Sequence, residues 1–218
     1  MSIENLTLAP FFAANRNPFN YAKIEQVNRD LMTEWLTLEQ ITQQLNLVDD
    51  ESQDSYLSSL ELATRFAIED YLGISMFSTQ YRIYYGNPGF FSNAIYLDLP
   101  EVSAGYNGVT INEVRCYIGD PNPASVTINQ SQYYYDPTGN RVVVKSIPNS
   151  ISQVIANPLQ VLYTVPANFI AQYPIVQQAG LLMLTHLYNN RSNTTETKLN
   201  QIPFGIEQLL RPYKSLVM

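Results

Sequence analysis

Residues 68–86 read IEDYLGISMFSTQYRIYYG, and the change of period inside this stretch decides the fold. Upstream of it Leu57, Leu60, Ala63, Ala67, Ile68 and Tyr71 recur at helical spacing, which predicts one helix over 54–72. Gly73 follows the last of them and suits the left-handed conformation that ends a helix. From about Met76 the pattern becomes Tyr-, Val- and Ile-rich with Pro, Gly and Asn punctuation, so STQYRIYYG is predicted as a strand. Helix thus gives way to sheet within a few residues.

Upstream, Thr37 opens a shorter helix. TLEQ is a capping box, in which Thr37 accepts an amide hydrogen and Gln40 reaches back. Leu38, Ile41 and Leu45 form its apolar stripe. The acids of DDESQD separate the two helices and suit the positive end of the second. Residues 1–35 are read as an N-terminal extension, with a short helix predicted in KIEQVNRDLMTEW. Its aromatics Phe11, Phe12 and Phe19 would be a liability on a lone monomer, which makes them candidate subunit-contact residues.

Downstream, AIYLDLP, VTINEVRCYIG, SQYYYDPTGN, RVVVKSI and LQVLYTV read as successive strands, with DPTGN a turn between two of them. In QYYYD, Tyr133 and Tyr135 are expected on one face and Tyr134 on the other. Helical character returns at Pro174, which fits a first helical turn. IVQQAGLLMLTHLYNN is apolar around most of its circumference and is expected to be covered on all sides. A polar loop leads to a last short helix with Ile206, Leu209 and Leu210 on one side, ended or kinked by Pro212. The tail after it carries apolar residues without an obvious place in the core. The order predicts an α+β protein: a small bundle of two N-terminal and two C-terminal helices with an inserted antiparallel β-rich subdomain. Its expected parts are an extension (1–35), two bundle halves (36–75 and 166–211), the insertion (76–165) and a tail (212–218).

Composition narrows the chemistry. Hydrophobic residues make up 45% of the 218, charged residues only 14%, and the net charge is −7. Low charge with many tyrosines and amides suits a contact surface. With 12 basic against 19 acidic residues and no basic cluster, a protein that grips DNA is not expected. Cys116 is the only cysteine, so neither an internal disulfide nor a cysteine zinc site can form. No basic leader or spanning apolar run is present, which leads to the expectation of a soluble protein from a reducing compartment, without membrane contact. The only histidine, His186, falls on the apolar stripe with Ala179 and Leu182, where a buried structural histidine is the commoner outcome. LTHLYN supplies it with no orienting partner for general-base work. Asp98, Glu101, Glu113, Asp120 and Asp136 are the candidate carboxylates of a hydrolase, but turn chemistry explains most of them. No phosphate loop or nucleophile elbow occurs. No enzyme activity, metal or cofactor is expected.

Several stretches together resemble one family, the head–tail connector (adaptor, or head completion) proteins of tailed bacteriophages. LTLEQITQQLNLVDDESQDSYLSSLELATRFAIEDYLGISM is similar to the family's two opening helices, with YLG leading into the first strand. YRIYYGNPGFFSNAIYLDLPEV resembles its strand pair ending in a proline, and YYYDPTGNRVVV the hairpin that follows. YPIVQQAGLLMLTHLYNNR looks like its third helix and IPFGIEQLLRPYK like its last. The resemblance covers roughly residues 36–214, and order and spacing carry it. The first 35 residues exceed the family's usual start, and EVSAGYNGVTINEVRCYIGDPNPASV is richer in Asn and Gly than expected.

The resemblance implies a structural virion protein. Such proteins form a ring, usually twelvefold, beneath the portal protein, extend the DNA channel and dock a tail, nozzle or stopper protein. DNA would pass without specific binding, and the site of action would be the virion neck, assembled in the host cytoplasm. The C-terminal segment commonly reaches onto the portal, which assigns portal docking to Arg211, Tyr213, Lys214, Leu216, Val217 and Met218. A net negative chain would repel phosphate and avoid trapping DNA. The alternative is a carbohydrate- or receptor-binding β module of a phage tail.

Overall fold

The computed structural model describes residues 21–47, 51–86, 95–100, 102, 108–148, 150–190 and 204–214. Phe11, Phe12, Phe19, Leu216, Val217 and Met218 lie outside the described residues. The chain divides into two units: a β unit of residues 1–28 and 80–165, and a helical unit of residues 29–79 and 166–218. The class is α+β, as expected.

Four α-helices are described in the helical unit: α1 (Leu38–Leu45), α2 (Asp54–Leu72), α3 (Pro174–Asn189) and α4 (Phe204–Leu210). The Thr37 capping box forms, with Gln40 N donating to Thr37 Oγ1 (3.2 Å) and Thr37 N to Gln40 Oε1 (3.0 Å). Gly73 ends α2 at φ 68°, its N–H bonding Glu69 O and Asp70 O. Pro174 is the first residue of α3. Trp35, Leu36, Ile41, Leu57, Ile68, Leu72, Met76, Val176, Ala179, Met183, Leu184, Ile206 and Leu210 form one core.

Two helix faces differ from expectation. The buried side of α2 runs through Leu57, Glu61, Thr64, Arg65, Ile68, Glu69 and Leu72, and Ala63 faces solvent. Apolar periodicity misplaced the stripe because three charged side chains are buried on it. α3 buries Val176, Ala179, Gly180, Met183 and Leu184, but Ile175 and Leu182 are exposed and His186 is only partly buried. Among the described residues the helix is therefore covered on one side, and His186 lies at the edge of the buried stripe.

The β unit holds two sheets. The first has five strands in the order β1 (Tyr21–Arg29), β2 (Thr79–Tyr85), β8 (Leu159–Val165), β4 (Thr110–Ile118), β5 (Ala124–Thr127). The second has the order β3 (Ile95–Asp98), β7 (Arg141–Val144), β6 (Tyr133–Asp136). β4 pairs antiparallel with β8 and β5, and β7 antiparallel with β3 and β6. Tyr81, Ile83, Tyr85, Val114, Val161 and Tyr163 of the first sheet share a core with Leu97, Val142 and Val144 of the second. The buried phenols find acceptors: Tyr85 donates to Asp98 O (2.6 Å) and Tyr163 to Pro100 O.

Residues 21–29 are a strand where a helix was expected over KIEQVNRDLMTEW. Ile24, Val27 and Leu31 stand three and four apart, a helical spacing, yet the segment edges a sheet and its residues need no strict alternation. β5 was missed as well, because all four of its residues are exposed and show no inward pattern.

Candidate functional site

Asp54–Leu72 would be an ordinary surface helix but for Glu61, Arg65 and Glu69, which stand one turn apart on its buried side. They clasp the segment between β1 and α1. Arg65 is fully buried and donates to Thr33 O (2.9 Å) and to Asp30 O. Its guanidinium also lies 4.6 Å from the Phe77 ring centre. Glu61 accepts from Trp35 N (3.1 Å) and Leu36 N (3.4 Å). Glu69 accepts from Met76 N (2.6 Å) and pairs with Arg29, whose guanidinium stacks 3.9 Å from the Phe66 ring centre. Burial pushes the Glu61 carboxyl up and pulls the Arg65 guanidinium down, and the charge of each opposes the other's shift.

The clasped segment is itself tightly turned. Asp30 accepts from Met32 N and Thr33 N (both 3.0 Å) and from Thr33 Oγ1 (2.6 Å), bonds that hold its carboxyl below the usual range, the Thr33 hydroxyl foremost. This turn leaves Met32 91% exposed and Leu31 half exposed. Both line a groove of about 160 Å³ between the segment and α2, with Leu36, Leu38, Ile41 and Leu62 on its apolar side and Thr33, Glu34, Ser58 and Glu61 on its polar side. An exposed apolar turn on a groove of mixed polarity is a candidate contact feature.

The expected portal-docking residues divide. Arg211–Tyr213 continues α4 as a 3-10 turn. Tyr213 packs on the helical core with its ring 5.6 Å from that of Tyr173. Lys214 Nζ lies 4.6 Å from the Tyr71 ring centre, and Arg211 is exposed. Tyr213, directly after Pro212, thus has a seat on its own unit, and the rest of the expected tail, 215–218, lies outside the described residues.

On the outer face of the three-stranded sheet Tyr96, Val143 and Tyr134 form one cross-strand row. Tyr96 and Tyr134 are half exposed, while Val143 between them is buried. Arg141 stacks 4.6 Å from the Tyr96 ring centre, and Lys145 Nζ lies 5.6 Å from that of Tyr134. The expected alternation of Tyr133, Tyr134 and Tyr135 holds, with Tyr134 outward.

Asn190 Nδ2 lies 3.3 Å from His186 Nδ1. Cys116 is buried in the β core, and burial raises its thiol. Asp136 Oδ1 accepts from Thr138 Oγ1 (2.5 Å) and N (3.0 Å), and Oδ2 from Arg141 Nε (2.9 Å). Asp120 accepts from Ser152 Oγ (2.7 Å) and Gln153 N (2.9 Å). Glu113 accepts from Thr127 Oγ1 (2.6 Å) and pairs with Arg115 (2.7 Å). Each of these three carboxylates is occupied in a turn or a surface pair. Glu101 lies outside the described residues. Among the described residues no three His, Cys, Asp or Glu side chains cluster as metal ligands, and no helix is long and apolar enough to cross a membrane.

Sequence reasoning missed the Glu61–Arg65–Glu69 ladder, although its spacing of four was visible. No family model matches the sequence, and no curated protein matches it. Solved structures do match in fold. A chain from the neck of an empty gene transfer agent particle aligns over 90% of this chain and 97% of its own, with 16% identity and a TM-score of 0.59. A chain from the virion of the native gene transfer agent particle aligns over the same shares, with 16% identity and a TM-score of 0.56. The protein thus shares its fold, over most of its length, with a chain of a gene transfer agent particle neck.

Proposed function

We propose that the protein is a non-enzymatic structural subunit of a virion neck, a head–tail adaptor. Copies form a closed ring, twelvefold as in the connector family it resembles, beneath the portal protein. The ring extends the DNA channel and offers its far side to a tail, nozzle or stopper protein, while DNA passes without specific binding. The observation that carries this reading is the fold shared over 97% of a particle-neck chain, helical and β parts together. The buried Cys116 thiol and the engagement of Glu113, Asp120 and Asp136 in turns or surface pairs support a role without catalysis. Electron microscopy of the purified protein mixed with its portal should show a second ring stacked on the first. A protein that leaves the portal bare at micromolar concentration overturns the proposal.

A carbohydrate- or receptor-binding role has one observation in its favour, the exposed Tyr96–Tyr134 pair flanked by Arg141 and Lys145. Aromatic faces with nearby polar groups suit sugar rings, but they suit protein interfaces equally. A glycan array bound by the natural chain and not by Tyr134→Ala would favour this second role.

A further inference from the structure

Glu61 is only 5% exposed, yet just one of its carboxylate oxygens is engaged. Oε1 accepts from Trp35 N and Leu36 N, and Oε2 has no partner among the described residues. Arg65, one turn on, gives its two Nη groups to Thr33 O and Asp30 O instead. Oε2 is not sealed in the core, and Glu61 lines the groove beside the Leu31–Met32 turn, so this oxygen opens on it. A half-satisfied buried carboxylate is costly until something completes it. Glu34 stands exposed on the same side of the groove, and its charge adds to the effect of burial in pushing the Glu61 carboxyl up. Two carboxylates on one groove, with no cation among the lining residues, call for a cation from outside.

The apolar side of the groove indicates what that cation is attached to. Leu36, Leu38, Ile41 and Leu62 line it, and the volume of about 160 Å³ is well below the roughly 300–1,000 Å³ of a site for a small molecule or cofactor. That leaves room for one side chain. Lysine and arginine bury a methylene stem on apolar surface and keep the charged head on polar groups, which is the division this groove offers.

We propose that the groove is a binding site for a basic side chain of another protein, its stem on Leu36, Leu38, Ile41 and Leu62 and its cation on Glu61 Oε2 and Glu34. Met32, 91% exposed, and Leu31, 52% exposed, give the residues flanking that side chain an apolar seat. The cation comes from a different protein because this chain has few to give. Among its described cations Lys23, Arg29, Arg82, Arg115 and Arg141 pair with carboxylates, Arg65 is buried, and Lys145 and Lys214 lie over tyrosine rings. Only Arg211 is left, and copies of a chain with net charge −7 repel one another at a distance. The site goes beyond the neck reading and does not depend on the ring.

The test follows the methionine methyl signals of the full chain by NMR, with an end-blocked Leu-Lys-Leu peptide as the probe. Met32 reports on the groove, while Met76 and Met183 sit in the helical core and report on the fold. The Met32 signal should move saturably at millimolar peptide. Binding should weaken about tenfold when norleucine replaces the lysine, or when Glu61→Gln removes the charge. The proposal is overturned by the lack of a saturable shift, or by equal binding of the norleucine peptide. Full binding by Glu61→Gln with Met76 and Met183 unmoved overturns it as well. Should Glu61→Gln disturb those two signals, Ser58→Lys at an exposed lining position takes its place. That variant should block the peptide, and unchanged binding sinks the site. Self-association abolished by both Glu61→Gln and Arg211→Gln would draw the cation from a second copy and overturn the assignment to another protein. A failed site leaves the ring on the portal standing, and a bare portal leaves the site standing.

Discussion

Gly180 and Trp35 meet so closely that no side chain fits between them: a Cβ at position 180 would lie 2.4 Å from the indole Cη2 and 3.2 Å from Leu36 Cδ1. The indole is pinned from its other end, since Trp35 Nε1 donates to Ala171 O at 2.9 Å. Gly180→Ala is therefore expected to destabilise the helical unit by about 1–3 kcal/mol through overpacking, against a helix-propensity gain of about 1 kcal/mol. Gly205→Ala in α4, where nothing lies within 4 Å, is the control and should be neutral or stabilising. Urea denaturation of both variants reads the difference.

The clasp on α2 gives a second expectation. Arg65→Ala removes the donor to two carbonyls and leaves Glu61 without its nearby cation, for an expected loss of about 3–5 kcal/mol. Glu61→Gln keeps an acceptor for Trp35 N and Leu36 N and should cost much less than Glu61→Ala. The ionised form of Glu61 is disfavoured by burial, so its folded carboxyl titrates above the unfolded one. Its contribution is present below the unfolded value and falls as pH rises through the raised one. Stability curves of the natural chain and Glu61→Gln from pH 4 to 8 should differ in that direction.

Asp136 behaves in the opposite sense. Hydrogen bonds from the Thr138 hydroxyl, then from Arg141, lower its carboxyl to about 2. Its contribution to the β6–β7 hairpin is present above the unfolded value of about 3.9 and is lost as pH falls toward 2. Asp136→Asn should flatten this part of the acid-unfolding curve. Equal acid sensitivity in both proteins would show that the turn does not depend on that charge.

Truncations separate packing from docking at the C-terminus. Removal of 215–218 spares Tyr213 and Lys214, and the melting temperature should be unchanged. Under the proposed docking, this variant loses attachment to the portal. Removal of 211–218 also strips the Tyr213–Tyr173 contact and should cost about 0.5–1.5 kcal/mol beyond lost burial. Portal co-sedimentation and thermal melts give the two readings side by side.

The main divisions of the chain were legible because local chemistry sets them. Thr37 with Gln40, Gly73 and Pro174 mark helix ends by bonds and dihedrals that reach no further than a turn. Alternation in β2 and β8 shows through as a strictly alternating burial pattern, since each has one face in the core. What tertiary structure alone decided depends on partners distant in sequence. The order β1-β2-β8-β4-β5 joins strands from four regions of the chain, and edge strands β1 and β5 carry no inward pattern to announce them. Burial of Glu61 and Arg65 is decided by the amides and carbonyls that the Asp30–Leu36 segment brings to them, and burial of Glu69 by Met76 N and the Arg29 guanidinium. His186 and Leu182 read as core until the described residues are seen to cover α3 on one side. Apolarity in a sequence states which side chains tolerate burial; only the packing of other elements determines which of them are covered.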